Sequence, residues 1–241
     1  MPNPILNDKF SENETIIEGA PLTVNGTIQK TFFMLLILTL SAAYVWNLFA
    51  RGFTNEAMTY STIAAIVGFV LALIISFTRT VFAIPFYAIA EGAFLGGFSA
   101  MFESQFPGIV FNAVCGTFLA LFSMLFLYRI KAIRCTEKFQ SVVFISTITI
   151  GLIYAMNFLA SFFGYRVPGL FDSGLIGIGF SVFVVIIASL NFIIDFEFIE
   201  KGAQNMISNK YEWFGAFGLT VTLVWLYVEI LRLLAKLNSR R

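Results

Sequence analysis

Acidic side chains stand inside stretches of this sequence that are otherwise suited to lipid. The segment SLNFIIDFEFIEKG begins as an apolar run and then carries Asp195, Glu197 and Glu200. An acid at the centre of a membrane helix costs roughly 2.5–3.5 kcal/mol, so such residues usually face a protein interior or water. Carboxylates in such a place can exchange protons or meet passing cations, which take oxygen ligands.

The three acids of this segment cannot form one site on a helix. At about 100° per residue, Glu197 and Glu200 are rotated well away from Asp195, whereas Asn191, four residues earlier, shares its face. We therefore expect Asp195 and Asn191 to face the interior of a helix bundle. Glu197 and Glu200 are expected to mark the end of the helix, where it enters water.

Two further acids interrupt apolar runs. Glu91, in AIAEGAFLGGFSA, lies near the middle of its run, and the small residues around it predict a helix that packs closely against its neighbours. Its alternative role is a protonated acid held by a hydroxyl or an amide. Glu229, in TLVWLYVEILRLLAKL, has Arg232 and Lys236 on roughly the same face, so a local ion pair is the alternative to a role in ion movement.

The composition indicates the elements that position these acids. Of 241 residues, 59% are hydrophobic and only 12% are charged, more apolar surface than a soluble domain of this length can hide. A bilayer core about 30 Å thick is crossed by ~20 apolar helical residues. We therefore predict an all-α polytopic membrane protein, with a mobile cytoplasmic tail over residues 1–29 and a seven-helix transmembrane domain over residues 30–237. The predicted spans are about 31–50, 57–78, 81–102, 107–128, 140–163, 174–198 and 213–236.

The basic residues predict the orientation of the chain. With a cytoplasmic N-terminus, nine Lys and Arg fall in inside segments, and only Arg51 and Arg166 fall outside before the C-terminal end, which follows the positive-inside rule. Four basic residues at the C-terminal end would lie outside if the seventh span crosses fully, and inside if that segment turns back. We expect a full crossing. The nine inside residues are Lys9, Lys30, Arg79, Arg129, Lys131, Arg134, Lys138, Lys201 and Lys210.

The residue types present disfavour several classes of protein. The chain has no histidine, which removes Ser–His catalytic pairs and zinc sites of the HExxH type. We therefore expect no enzyme and no bound cofactor, apart from transient Ca²⁺. A net charge of +1 argues against a nucleic-acid partner. The expected partners are the lipid bilayer and small ions.

Several long segments resemble a known family. They are NGTIQKTFFMLLILTLSAAYVW, YAIAEGAFLGGFSAMFE, PGIVFNAVCGTFLALFSMLFLYRIKAIR, NFIIDFEFIEKG and EWFGAFGLTVTLVWLYVEILRLL. From about Asn25 to Leu237 the chain resembles the bacterial, Bax-inhibitor-1-like branch of the transmembrane Bax inhibitor family. The resemblance implies a seven-helix bundle in the bacterial inner membrane, with the last helix at its centre. It also implies a pH-sensitive Ca²⁺ leak controlled by a pair of acids on the sixth and seventh helices.

By position, Asp195 matches the acid of the sixth helix, and Glu229 matches that of the seventh by its surroundings. The 34 residues between them exceed the usual spacing of the family. A hairpin turn near residues 205–209 would offset the two acids in depth by roughly 16 Å, in which case Glu91 becomes the nearer neighbour of Asp195. A turn nearer Glu212 would bring Asp195 and Glu229 together.

Three functions fit these residues. The first is a proton-gated cation leak, with Ca²⁺ as the ion, Asp195, Glu91, Glu229 and Asn191 along the path, and Asp195 and Glu91 as weak Ca²⁺ ligands. The second is a membrane interaction protein that modulates a protease or a stress-response partner. The third, a proton-coupled carrier of small solutes, needs more polar residues in mid-span than the sequence offers.

Overall fold

The structure is a computed structural model that describes residues 20–164 and 169–240. This part of the chain contains seven helices, each long and apolar enough to cross a membrane, which confirms the predicted all-α, seven-helix architecture. The helices are α1 (Val24–Ala50), α2 (Thr54–Thr78), α3 (Ala83–Gln105), α4 (Ile109–Arg129), α5 (Glu137–Phe162), α6 (Leu175–Gln204) and α7 (Tyr211–Asn238).

The first helix begins inside the segment predicted as a tail. Thr23 is its N-cap, and the Thr23 hydroxyl accepts a hydrogen bond from the amide of Gly26 at 2.9 Å. This contact satisfies one of the amides that a helix leaves open at its N-terminus. Residues 24–29 are therefore helical, whereas residues 1–19 of the predicted tail, like Arg166, lie outside the described residues.

The apolar exterior of the helices accounts for the composition. Large side chains such as Phe77, Phe122 and Phe158 are 84%, 61% and 63% exposed. Apolar surface of this extent is unfavourable in water and is the surface that lipid tails cover. Many of the large hydrophobic residues of this chain thus form lipid-facing surface.

The chain divides into two compact units, each of which includes part of α6 and part of α7. Of the described residues, the first unit, as we call it, contains 111–164, 169–197 and 222–240, and the second unit contains 20–110 and 198–221. Of the seven described helices, α7 has the largest buried share, 67% of its most apolar stretch, as predicted for a helix at the centre of a bundle.

In the second unit, α3 packs against α1 and α2 through small residues. A Cβ atom placed on Gly92 or Gly96 would overlap the backbone carbonyl of Leu38 or Ala42 in α1. Only glycine allows backbones to approach so closely. The small residues near Glu91 therefore hold the helix that carries this acid against its neighbours.

In the first unit, the core lies between α5, α6 and α7. Ile150, Val184 and Ile187 are almost fully buried, and Tyr154 and Trp225 pack against them. These contacts fix α7 against α5 and α6 along the stretch that contains Glu229.

Candidate functional site

Asp195 is held by a neutral hydroxyl in the first unit. Its side chain is half-buried, and its carboxylate accepts a hydrogen bond from the Thr222 hydroxyl of α7 at 2.7 Å. Asn191, one turn earlier on α6, donates instead to the Thr147 hydroxyl of α5 at 3.1 Å and to the Ile187 carbonyl at 2.8 Å. The shared face of α6 thus contacts two different helices.

The contact between Asp195 and Thr222 gives the register of α6 against α7. Asp195 is level with Thr222, and Glu229 lies seven residues further along α7, a separation of about 10 Å along the helix axis. The difference in depth between Asp195 and Glu229 is therefore smaller than the roughly 16 Å expected for a turn near residues 205–209. The two acids still do not meet, because Thr222 is the residue opposite Asp195. Thr222 follows Asp195 by 27 residues, which is closer to the shorter spacing that the resemblance implies.

Glu229 has a complete set of partners of its own. It is 1% exposed, accepts a hydrogen bond from the Tyr154 hydroxyl at 2.9 Å and lies 3.5 Å from the Arg232 guanidinium. Arg232 also lies over the Tyr154 ring, 5.3 Å from its centroid. The local ion pair considered for Glu229 is thus present.

Polar groups follow one stripe of α7 within the first unit. Thr222, Glu229 and Lys236 are separated by seven residues each, so they recur on nearly the same face at intervals of about 10 Å. Lys236 donates from its ammonium to the carbonyls of Leu170 and Gly177 and to the Ser181 hydroxyl, at 3.2, 3.0 and 2.9 Å. Together with Asp195, these three residues form what we call the polar file, which follows the C-terminal half of α7.

Glu91 lies in the second unit and is half-buried. The Tyr87 hydroxyl, one turn earlier on α3, donates a hydrogen bond to its carboxylate. Gly68 of α2 faces the acid so closely that a Cβ atom there would lie 3.0 Å from a Glu91 oxygen. The hydroxyl partner considered for Glu91 is thus present, while its proximity to Asp195, in the other unit, stays a prediction.

Glu212 is a buried acid that the sequence did not single out. It is 6% exposed, and it accepts hydrogen bonds at 2.8 Å from both the amide and the hydroxyl of Thr23. Lys30 forms an ion pair with the same carboxylate. A Cβ atom on Gly26 would overlap this carboxylate, so a larger residue there would have to displace the end of the Glu212 side chain. The first turn of α7 is therefore tied to the N-terminus of α1.

The end of α6 differs in part from expectation. Glu200 is exposed, as expected for an acid that enters water. Glu197 is half-buried, because its carboxylate accepts a hydrogen bond from the Tyr128 hydroxyl of α4 at 3.0 Å. Glu197 therefore belongs to the packing between α4 and α6.

Four of these acids fall into two pairs by the charge of their partners. Glu212 and Glu229 each contact a basic side chain, whereas Asp195 and Glu91 have only uncharged partners among the described residues. Within the same residues no three His, Cys, Asp or Glu side chains are grouped as a metal site. A cation at Asp195 or Glu91 would therefore meet one carboxylate together with neutral oxygens.

Comparison with known proteins gives one assignment. A search of curated proteins found no matching relative. A family model described as Bax inhibitor 1 like matches residues 3–239, nearly the whole chain. This match agrees with the seven apolar helices and with the resemblance seen in the sequence, and this multi-pass membrane protein therefore belongs to the Bax inhibitor 1 like family.

Proposed function

We propose that this protein is a pH-sensitive cation leak channel or transporter of the bacterial inner membrane, with Ca²⁺ as its ion. Protonation of intramembrane acids controls the leak, and the protein catalyses no chemical reaction. Asp195 is the principal proton and cation site. Asn191, Glu229 and Glu91 are the further polar groups of the path.

The observation that carries this proposal is the neutral partner of Asp195. An acid fixed by a basic side chain is already compensated and has little to gain from a passing cation. The carboxylate of Asp195 is held by the Thr222 hydroxyl instead, and it is half-buried on a membrane-spanning helix. Its negative charge is therefore available to a proton or to a cation in turn.

The polar file of α7 supports a route through the first unit. Weak sites placed one after another let an ion enter and leave, which a single tight site does not. Asp195 with Thr222, and Glu229 with Tyr154, supply carboxylate and hydroxyl oxygens about 10 Å apart along α7, and the Lys236 ammonium follows at the same interval as a fixed positive charge.

We also propose that the N-terminus is cytoplasmic. The nine-to-two distribution of basic residues supports this orientation. The C-terminal cations are its exception, and two of them are engaged within the protein: Arg232 with Glu229, and Lys236 with three oxygens. An alkaline phosphatase fused after Asn238 should be active outside the cytoplasm, and an inactive fusion would contradict the orientation.

The leak is tested with the purified full chain in lipid vesicles that contain a Ca²⁺ indicator. We expect Ca²⁺ entry to change with pH in the wild type. Asp195→Asn should lower the flux by about tenfold, equivalent to about 1.4 kcal/mol, and remove most of its pH dependence. The Asn side chain can still accept the hydrogen bond from Thr222, so the variant removes the charge and keeps the contact.

The matched control is Glu200→Gln, on the same helix. Glu200 is exposed, so loss of its charge should leave the flux close to that of the wild type. Equal flux in wild type and Asp195→Asn would overturn the assignment of Asp195. Wild-type vesicles that admit no more Ca²⁺ than empty ones, at any pH, would overturn the leak itself.

A further inference from the structure

The ammonium of Lys236 sits in a small cage of oxygen atoms at the C-terminal end of α7. A Lys ammonium has three N–H donors, and here each finds one acceptor: the Leu170 carbonyl, the Gly177 carbonyl and the Ser181 hydroxyl. The three distances lie between 2.9 and 3.2 Å, and Ser181 is 3% exposed. This set of three oxygens is called the cation seat below.

The loop that supplies part of the seat is built to approach α6 closely. A Cβ atom on Gly177 would overlap the carbonyl of Asp172 and lie 3.0 Å from that of Gly169. Because both neighbours are backbone atoms, no side-chain movement could relieve the overlap. Gly177 therefore lets residues 169–174 fold over the start of α6 and bring the Leu170 carbonyl to Lys236.

The chemistry of the seat differs from that of a structural ion pair. Among the described residues, all three acceptors of Lys236 are neutral. Asp172, the acid of the same loop, is exposed and accepts a hydrogen bond from the Gly169 amide at 3.0 Å. Neutral oxygens solvate an ammonium without cancelling its charge. The seat thus holds a positive charge at the end of the polar file by direct contacts with neutral oxygens, while the carboxylates of Glu229 and Asp172 act on it from a longer distance.

The position of this charge suggests what it does. Lys236 is the last of three polar residues on α7, after Thr222 and Glu229, that are spaced seven positions apart. Any cation that travels along this file meets the Lys236 ammonium where its last oxygen ligands would be. The ammonium repels a passing cation because both are positive. It also occupies the three oxygens of the cation seat, which therefore cannot bind the passing cation.

We propose that Lys236 is a tethered cation that plugs the ion path at the C-terminal end of α7, and that Leu170, Gly177 and Ser181 form a site for a small cation when the ammonium is withdrawn. This inference rests on the proposed leak and deepens it, because it names the element that keeps the leak small. The seat favours monovalent cations and primary ammonium ions, since its oxygens are neutral and few.

The test uses Lys236→Ala in vesicles, with the wild type and Lys236→Arg for comparison. We expect Lys236→Ala to raise the flux of Ca²⁺ and K⁺ by about fivefold or more, because one fixed positive charge is lost. Lys236→Arg keeps the charge and should stay within about twofold of the wild type. Added ethylammonium should fill the seat of Lys236→Ala and lower its flux. Tetramethylammonium carries the same charge without N–H donors and should have no effect.

The outcomes separate the plug from the leak. A measurable wild-type leak that does not change in Lys236→Ala would overturn the plug and leave the proposed function standing. A folded Lys236→Ala with reduced flux, or without any response to ethylammonium, would make Lys236 a structural contact only. If neither protein shows any flux, the leak is wrong. The seat is then tested by binding: ethylammonium, but not tetramethylammonium, should raise the unfolding temperature of Lys236→Ala, and no difference between the two would overturn the seat.

Ser181→Ala is the second variant, in case Lys236→Ala does not fold. It removes one oxygen of the seat and keeps the lysine, so the ammonium is held less firmly. We expect a rise in flux that is smaller than in Lys236→Ala. A flux equal to that of the wild type in Ser181→Ala would count against the seat.

Discussion

Two acids of this protein, one in each unit, are held in opposite ways. In the second unit, Glu212 is surrounded by one basic side chain and by two hydrogen-bond donors of Thr23. In the first unit, Asp195 has one neutral hydroxyl. A compensated acid stabilises the fold that compensates it, whereas an uncompensated one costs stability and is kept for another reason. The comparison indicates a structural role for Glu212 and agrees with the functional role proposed for Asp195.

The largest effect is expected from Glu212→Gln. The substitution removes the carboxylate that Lys30 pairs with and leaves the ammonium, 22% exposed, with poorer solvation. Loss of one partner of a buried pair costs about 3 kcal/mol, at the lower end because Lys30 is partly exposed. Unfolding of the purified protein in mixed detergent micelles should show this loss of unfolding free energy.

The control for this variant is Lys30→Met with Glu212→Gln. Removal of both charges should recover part of the lost stability, because no unpaired charge remains. If Glu212→Gln alone unfolds at the same detergent fraction as the wild type, the contact between α1 and α7 contributes nothing to stability. The structural role of Glu212 would then be wrong.

Asp195→Asn is expected to act in the opposite direction. The amide keeps the contact with Thr222 and removes a charge that has no basic partner among the described residues. We therefore expect a gain of about 1 kcal/mol in the free energy of unfolding, together with the loss of flux. Glu200→Gln, at an exposed position of the same helix, should change stability by less than about 0.5 kcal/mol. A marked loss of stability in Asp195→Asn would mean that this acid, too, is structural.

The sequence predicted the membrane helices, the acids within them and, as an alternative, the local ion pair of Glu229 with Arg232, but not the partners that lie on other helices. Long apolar runs, and single acids such as Glu91 and Asp195 within them, can be recognised locally in the sequence. A charged residue in a membrane helix is costly and is therefore informative by itself. Partners are set by the register between helices that are distant in sequence. Thr222 is not ionisable, so its residue type does not mark it as part of a site. Only the register between α6 and α7 shows that it lies opposite Asp195.

Glu212 was overlooked for a different reason. An acid in the first turn of a helix is ordinary, since it favours the positive end of the helix dipole. The residues that bury it, Thr23 and Lys30, lie about 190 positions earlier, in a polar segment that was predicted to be a tail and its boundary. The structure places Gly26 against this carboxylate, and the sequence alone does not show that contact.

The smallest expected effect concerns the contact between Asp195 and Thr222 itself. A double-mutant cycle with Asp195→Ala and Thr222→Val isolates their interaction, because alanine removes the carboxylate, and valine keeps the shape of threonine and lacks its hydroxyl. We expect a coupling of about 0.6 kcal/mol, the average for hydrogen bonds between membrane helices, and thus several-fold weaker than the loss at Glu212. Thr222→Ser, which keeps the hydroxyl, should retain the coupling. A coupling above about 2 kcal/mol would mean that Asp195 is held as firmly as Glu212. The carboxylate would then no longer be free to exchange its partner for a cation, because release from Thr222 would cost as much as a structural contact.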